Sequence, residues 1–185
     1  YKHGVYTSEV PTSIIPAVNT TAGLPVVFGT APVHLAQDRA ASNKPILCYS
    51  YAEVVNQLGY SKNWADYTLC EVMYSQFSLY NRAPVVFVNV LDPAKHKESV
   101  NDTELQLTNK VAVLNEPVLL ETLKVKKASA GEALKIGVDY EAAYDDDEIL
   151  NITALDGGEL DEVTSIFIDY DKLDPSAVEN DDIIG

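Results

Sequence analysis

The sequence has little that would suit a nucleic acid, a membrane or a disulfide framework. It contains 13 basic residues against 28 acidic ones, which gives a formal net charge of −15. Binding to phosphates requires clustered lysine and arginine, so this balance argues against a nucleic-acid partner. No apolar run reaches the roughly 18 residues that a membrane-spanning helix needs. The two cysteines, Cys48 and Cys70, match no metal-ligand spacing, and we expect them to be buried free thiols.

No residue pattern in the chain predicts catalysis or cofactor binding. The sequence has no G-x-S-x-G motif and no cysteine–histidine arrangement of a nucleophilic site. The stretch 23–29 matches neither a dinucleotide-binding nor a phosphate-binding glycine loop. His3, His34 and His96 lie on a predicted arm, loop and linker, without partners at metal-ligand spacing. We therefore predict that the chain is not an enzyme and has no catalytic, cofactor-binding or metal site.

The acidic run at 145–148 reads Asp-Asp-Asp-Glu and is open to two interpretations. Clustered carboxylates are hard oxygen ligands, so the run could bind calcium. It lacks, however, the alternating spacing and the sixth-position glycine of a helical calcium loop. The other interpretation is a solvated acidic turn between two strands, and we favour that one.

Charge divides the chain into two unlike parts. Seven of the 13 basic residues and seven of the 28 acidic residues lie in 1–100, so that part has no net charge. The remaining six basic and 21 acidic residues lie in 101–185 and account for the whole −15. Such asymmetry predicts two bodies with different neighbours. The neutral part can pack closely against copies of itself, whereas the acidic part should stay solvated.

The first 23 residues have the pattern of a strand on a tether, an extended N-terminal arm. Residues 4–10 have the β-branched and aromatic content of a short strand. The prolines at 11 and 16 predict an open linker after it rather than a hairpin turn. A lone strand needs the edge of a sheet, and the long tether favours the edge of another subunit. The residues that we expect at this inter-subunit contact are Gly4, Val5, Tyr6, Glu9 and Val10.

Residues 24–100 alternate between strand and helix patterns, as is typical of an α/β unit. Short apolar segments at 26–28, 45–49 and 85–91 suit strands, and the last has the composition of a strand covered on both faces. Ser50 and Glu53 stand in capping-box spacing and Gly59 supplies a stop, so we predict a helix over 51–58. The order of elements indicates a right-handed parallel crossover. Two or three parallel strands make a thin sheet, and we expect the remaining strands beyond residue 185.

A second, longer helix is predicted from Asp66, as its cap, through Tyr80, with Asn81 and Pro84 ending it. Its apolar residues recur at helical spacing and form one stripe, which consists of Leu69, Val72, Met73, Phe77 and Tyr80.

Beyond residue 100 the hydrophobic periodicity changes to two. Six short segments suit strands, at 104–107, 110–114, 118–126, 140–144, 149–153 and 163–170. Acidic and glycine-containing turns separate the last three. This spacing predicts that 101–175 is a small acidic domain, an antiparallel β-sandwich or barrel. Asp174 and Pro175 resemble a helix cap and a first-turn proline, so 176–185 should return the chain to the α/β unit.

The chain carries a series of short motifs whose order and spacing are more specific than any one of them. They are Gly4-Val5-Tyr6-x-x-Glu9, Val26-Val27-Phe28-Gly29-Thr30-Ala31-Pro32, Tyr51-x-Glu53, Leu58-Gly59, Tyr67-Thr68-Leu69, Val85-Val86-Phe87-Val88-Asn89-Val90, Gly137-x-Asp139-Tyr140, Leu155-Asp156-Gly157-Gly158, Asp169-Tyr170, Leu173-Asp174-Pro175 and Asp182-Ile183-Ile184-Gly185. Together they span nearly the whole chain. They resemble the N-terminal portion of the contractile tail sheath proteins of bacteriophages and related contractile injection systems.

The resemblance implies a structural, self-assembling subunit. In that family many copies polymerise around a tail tube as an extended helix, and a baseplate signal triggers the contraction that drives the tube into the host envelope. The implied partners are other copies of the chain, the tail tube protein and the baseplate. The implied location is the virion tail, assembled in the bacterial host cytoplasm. The resemblance also implies a longer protein, whose later part completes the α/β unit and supplies the domain that faces the tube.

Two other classes of protein remain open on the sequence. One is an acidic immunoglobulin-like binding or adhesion module without catalytic activity. The α/β part and the lack of a visible export signal argue against it. The other is an enzyme, for which the sequence supplies no constellation of reactive residues.

Overall fold

The structure is a computed structural model that describes residues 23–184. Its first sheet is built from β1 (Val26–Gly29), β2 (Pro45–Cys48) and β3 (Val85–Asn89), with β3 in the centre. β1 and β3 run parallel, which confirms the predicted parallel pair. β2 runs antiparallel to β3. The sequence predicted two or three parallel strands, and the described sheet has two. Because β2 begins at a proline, which has no N–H to donate, it suits an edge of the sheet.

The first α-helix, α1 (Tyr51–Leu58), begins and ends where the sequence predicts. The Ser50 side chain accepts a hydrogen bond from the Glu53 N–H at 3.2 Å, and the Glu53 carboxylate accepts one from the Tyr49 N–H at 2.8 Å. Gly59 ends the helix with a φ of 74°. A Cβ at Gly59 would lie 2.2 Å from a carbonyl oxygen of the loop after β1, so both the backbone angle and the space require glycine here.

The second helix departs from its prediction at both ends. α2 is Thr68–Met73 and continues as a π-helical segment, Tyr74–Leu79. The N–H groups of its first two residues donate to the hydroxyl and the carbonyl of Thr30, at 3.1 and 3.0 Å, and not to Asp66, the cap expected from the sequence. Leu69 and Met73 of the predicted apolar stripe are buried, and Val72 and Phe77 pack against the core. Tyr80, beyond the wider π turn, does not follow them and is 67% exposed.

Residues 97–173 form a second unit, the β unit, with two three-stranded antiparallel sheets. Its strands are β4 (Lys97–Gln106), β5 (Val111–Leu114), β6 (Lys124–Lys126), β7 (Tyr140–Tyr144), β8 (Leu150–Ala154) and β9 (Ser165–Leu173). One sheet has the order β4–β9–β6 and the other β5–β8–β7. The six antiparallel strands confirm the predicted pairing, although β4 begins earlier than expected, inside the polar stretch before residue 104. Neither sheet closes into a barrel.

The segment 118–126 is not the continuous strand that its sequence suggests. It contains a 3₁₀ turn, Leu120–Thr122, and only the short β6 pairs in a sheet. The Thr122 hydroxyl donates to the Leu119 carbonyl at 2.8 Å and accepts from the Asp171 N–H at 2.8 Å. The Asp171 N–H is thereby taken up by a side chain instead of a neighbouring backbone carbonyl, at the point where the chain bends.

Two apolar clusters support these sheets. One lies between the α/β sheet and its helices, and the other is shared by both sheets of the β unit. Leu119 and Leu173 come from the β unit but belong to the first cluster, where each is 2% exposed. The two units are therefore joined by packing as well as by the chain.

After β9 the chain packs against the α/β unit again. Asp174 Oδ1 accepts a hydrogen bond from the Ser176 N–H at 3.0 Å and caps a short 3₁₀ helix, Pro175–Ala177. Val178 then packs on the α/β cluster, and α3 (Asn180–Ile184) follows. Among the helices of residues 23–184, none is long and apolar enough to cross a membrane.

Candidate assembly surfaces

The residues expected at an inter-subunit contact, Gly4, Val5, Tyr6, Glu9 and Val10, lie outside the described residues, and their contact stays a prediction. Other surfaces of the described part have the features with which a subunit meets its neighbours. These are an open sheet face, a groove between the two units and a projecting turn.

One face of the α/β sheet, the open face, is apolar and reaches solvent. Cross-strand pairing aligns its side chains in two rows, Val26–Val86–Leu47 and Phe28–Val88–Pro45. Val26, Phe28 and Leu47 are 52%, 54% and 41% exposed. The opposite face, which includes Phe87 and Cys48, is buried against α1 and α2. Sheets that contain parallel strands are normally covered on both faces, so the open face is a candidate contact surface.

A groove of about 570 Å³, the junction groove, runs between the α/β unit and the edge strand β7. Carboxylates of Asp145, Asp146 and Glu148 stand at its β-unit side, and Lys62 lines the other side. Most of its remaining walls are aromatic or aliphatic and include Leu35, Tyr51, Val55, Tyr60, Leu120 and Tyr144. Apolar walls with a charged border are the composition of a protein-binding groove.

Polar contacts hold the two sides of this junction together. Arg39 Nη1 lies 2.6 Å from Glu121 Oε1, and the Lys62 N–H donates to Glu148 Oε1 at 3.2 Å. Burial raises the pKa of Glu121, but the hydrogen bond from Arg39, a backbone hydrogen bond and the charges of Arg39 and Lys97 together outweigh burial, and the net pKa is lowered. Because Glu121 is half exposed, we expect this pair to contribute at most about 1 kcal/mol.

His34 is a buried ionisable group at the same junction. It is 8% exposed and lies between the rings of Tyr67 and Tyr144, at centroid distances of 5.9 and 5.4 Å. Its Nδ1 is buried and has no hydrogen-bond partner among the described residues. Burial, helped by the nearby charge of Arg39, lowers the pKa of His34 to about 3. The imidazole is therefore neutral at physiological pH, which its predicted position in a loop did not suggest.

A turn at the other end of β7 projects two aliphatic side chains into solvent. Ile136 and Val138 are 62% and 61% exposed, and Gly137 between them has a φ of 77°. The buried carboxylate of Asp139 accepts hydrogen bonds from the Lys135 N–H at 2.9 Å and from a backbone N–H of the loop after β8 at 3.1 Å. These bonds lower the pKa of Asp139 and fix the turn. We call the turn from Lys135 to Val138 the knob.

The acidic run at 145–148 forms a hydrogen-bonded hairpin turn. Asp145 Oδ1 accepts from the N–H groups of Ile149 and Asp147, both at 3.0 Å, and its Oδ2 accepts from the Asn151 side chain at 3.0 Å. These bonds, that from Ile149 first, lower the pKa of Asp145. In residues 23–184 no group of three or more histidine, cysteine, aspartate or glutamate side chains has the geometry of a metal site. The Asp145 carboxylate thus acts as an acceptor that shapes the turn.

His96, which the sequence places in a linker, is buried where the chain passes between the units. It is 2% exposed, and its Nδ1 accepts from the Asp92 N–H at 2.9 Å. Its Nε2 lies 3.1 Å from Asp182 Oδ2, and its carbonyl accepts from the Asp174 N–H at 3.0 Å. Hydrogen bonding from Lys95 is the main cause that lowers the pKa of Asp182 to about 2. Sequence reasoning missed this contact, because its partners lie about 80 residues apart along the chain.

Cys48 and Cys70 are buried free thiols, as predicted. Burial raises the pKa of Cys48 to about 11 and that of Cys70 to about 12. Since the thiolate is the reactive form, neither side chain is a nucleophile at neutral pH.

Comparison with known proteins yields a distant relative. A curated tail sheath protein of Burkholderia phage BcepMu is 27% identical to this chain over 190 residues. The similarity covers 100% of this chain but 36% of the relative, so the chain spans little more than a third of that protein's length. No protein-family model and no solved structure matches the chain. The similarity runs through both units and supports a sheath-like relationship.

Proposed function

We propose that this chain is the N-terminal portion of a structural subunit of a contractile, phage-type tail sheath. The observation that carries the proposal is the 27% identity to a tail sheath protein along the whole chain. A subunit of this kind polymerises around the tail tube and contracts to drive the tube into the host envelope. Its role is structural and not enzymatic.

The α/β unit, residues 24–100, is completed by sequence beyond residue 185. The open face supports this part of the proposal, because Val26, Phe28 and Leu47 on its outer strands are each more than 40% exposed, although Val88 on the central strand is buried. The relative's greater length supports it as well, since the aligned region is 36% of that protein. Burying the open face would stabilise the unit by roughly 25 cal/mol per Å² of apolar area.

The acidic part, residues 101–175, is a β-sandwich insertion at the outer surface of the assembly, and 176–185 is the return segment. Two open antiparallel sheets around one apolar cluster are consistent with a sandwich. This part holds 18 acidic and six basic residues, a net charge of −12, and close packing of like charges around a tube would cost free energy. An outer position keeps the carboxylates solvated.

The N-terminal arm, residues 1–23, pairs with a neighbouring subunit through Gly4, Val5, Tyr6, Glu9 and Val10. The support is the strand-like sequence followed by a proline-interrupted tether. During contraction the subunits must slide and tilt while they stay linked. An exchanged strand permits this, because main-chain pairing persists while the tether reorients.

Tail tube and baseplate are the further partners of such a subunit. Its place is the virion tail, which is assembled in the cytoplasm of the bacterial host. The acidic surface and the absence of a basic stripe support contacts with protein and not with nucleic acid.

Electron microscopy of the complete gene product that contains this chain tests the proposal. Tubes of regular diameter are expected. Deletion of residues 1–10 should abolish the tubes while leaving the thermal unfolding of the subunit nearly unchanged, because the arm contacts a neighbour. Well-folded protein that forms no tubes under any condition would favour the acidic binding module instead, and a large loss of subunit stability on deletion would contradict the arm's role.

A further inference from the structure

We propose that the knob of one copy docks in the junction groove of a second copy. This contact rests on the proposed function, since it joins neighbouring subunits of an assembly. The knob comprises Lys135, Ile136 and Val138, and the groove lies beside Tyr144 at the far end of β7.

The two surfaces match in chemistry. Ile136 and Val138 together expose more aliphatic surface than a turn normally leaves in water, at 62% and 61%. The walls of the groove offer aromatic and aliphatic side chains of the size that would cover them. Its border carries Asp145, Asp146 and Glu148, and the knob carries Lys135 beside its apolar pair. A cation next to an apolar anchor thus meets carboxylates next to an apolar groove.

Lys135 is available for this contact. The ion pairs within the described part of the β unit involve its other lysines, namely Lys97, Lys110, Lys126, Lys127 and Lys172. Lys135 and Lys124 are exposed and form no such pair with a described residue. The β unit, residues 97–173, has 18 acidic and seven basic residues, so an unpaired lysine at its apolar tip is a specific contact for a partner whose groove is bordered by carboxylates.

The knob is also held in one shape before any partner arrives. Asp139 accepts the Lys135 N–H, the Gly137 N–H donates to the Tyr140 carbonyl at 2.8 Å, and the Val138 N–H donates to the Lys135 carbonyl at 3.3 Å. A turn fixed by these bonds loses little conformational entropy on binding.

The positions of knob and groove make the contact head to tail. Tyr140, next to the knob, lies four residue steps from Tyr144, next to the groove, which is roughly 13 Å along β7. A chain therefore does not fill its own groove with its own knob, and each copy presents both surfaces. Contacts between two different patches add copies in an open series and produce helical filaments when the rotation does not close a ring.

Two aliphatic side chains and one lysine bury too little surface area to hold copies together in dilute solution. Its effect appears when other contacts already bring copies close, because linked contacts raise the effective concentration of each one. Concentrated protein and a covalent trap are therefore the right conditions for a test.

Disulfide trapping between two single-cysteine variants tests the contact. Chains with Val138→Cys are mixed at high concentration with chains carrying Ala143→Cys, which places a thiol in the exposed groove wall. The native thiols are buried and do not compete. The acceptor control is Val113→Cys, which is 54% exposed on β5 and lies outside the groove. Mixed dimers of the 138 and 143 variants should form roughly tenfold faster than those of the 138 and 113 variants.

Charge reversal then tests the role of the lysine. Lys135→Glu should reduce the trapping rate several-fold, and Lys124→Glu, an equal change of net charge away from the knob, should leave it nearly unchanged. Equal rates for the two acceptors, or equal effects of the two charge reversals, would overturn the proposal. Tubes formed by a complete gene product without specific trapping would overturn this contact alone, whereas specific trapping without tubes would count against the sheath function alone.

Discussion

The buried imidazole of His34 should make the stability of this protein fall between pH 7 and pH 5. Burial, aided by Arg39, lowers its pKa from 6.5 to about 3 in the folded state. Between those two values the unfolded chain binds a proton that the folded chain does not, so the His34 contribution is intact above pH 6.5 and is lost as the pH falls towards 3. Linkage with these pKa values gives a loss of about 2 kcal/mol between pH 7 and pH 5.

The substitution His34→Leu removes the titrating group and keeps an apolar side chain of similar size. Urea unfolding at pH 7 and pH 5 should show that the parent chain loses about 2 kcal/mol more than this variant. Carboxylates with lowered pKa values, such as Asp182, titrate in both proteins and cancel. Tyr144→Phe is the matched control, since it removes hydrogen bonds to two carbonyls at 3.0 Å without adding or removing a group that titrates in this range. An equal pH dependence in the parent chain and His34→Leu would refute the reasoning.

Backbone geometry, capping and shared packing give three more expectations. Gly59→Ala should lower the free energy of unfolding in urea by at least about 2 kcal/mol, because the new Cβ would collide with a carbonyl oxygen. Gly157→Ala has a similar φ but open space around it and should lower it by about 1 kcal/mol. Equal losses would contradict the steric argument. Thr30→Val should cost about 1–2 kcal/mol and speed amide exchange at the start of α2, and unchanged exchange there would exclude the capping role. Residues 97–175 expressed alone should be strand-rich by circular dichroism and unfold cooperatively, at lower urea than the whole chain because Leu119 loses its cover; a molten or helical product would show that they do not fold independently.

Elements set by neighbouring residues could be predicted from the sequence, and elements set by distant residues could not. α1 was predicted in full, because Ser50, Glu53 and Gly59 all lie within ten residues of one another. The start of α2 depends on Thr30, whose hydroxyl accepts a hydrogen bond from the Thr68 N–H, 38 residues further along the chain. The bend at Thr122 depends on Asp171 in the same way. Local patterns carry no information on such contacts.

The candidate surfaces show the same limit more strongly. Ile136 and Val138 read as ordinary aliphatic residues before a strand, and only the folded turn shows that both point to solvent. The junction groove exists because α1 and β7 meet, although they lie more than 80 residues apart along the chain. The open face was the exception. A thin parallel sheet with too few covering elements already indicated that part of it would lack cover.

The contacts of His96 have a consequence for how this molecule could change over evolution. Its carbonyl and ring bind Asp174 and Asp182, so the stem that leads into the β unit lies beside the stem that leads out. The β unit is thus an insertion whose first and last residues lie next to each other in the fold. Such an insertion tolerates lengthening, shortening or replacement by an unrelated domain, because the flanking segments are already close enough to connect either one. We therefore expect relatives to have very different domains inserted between the segments that correspond to those around His96 and Asp174.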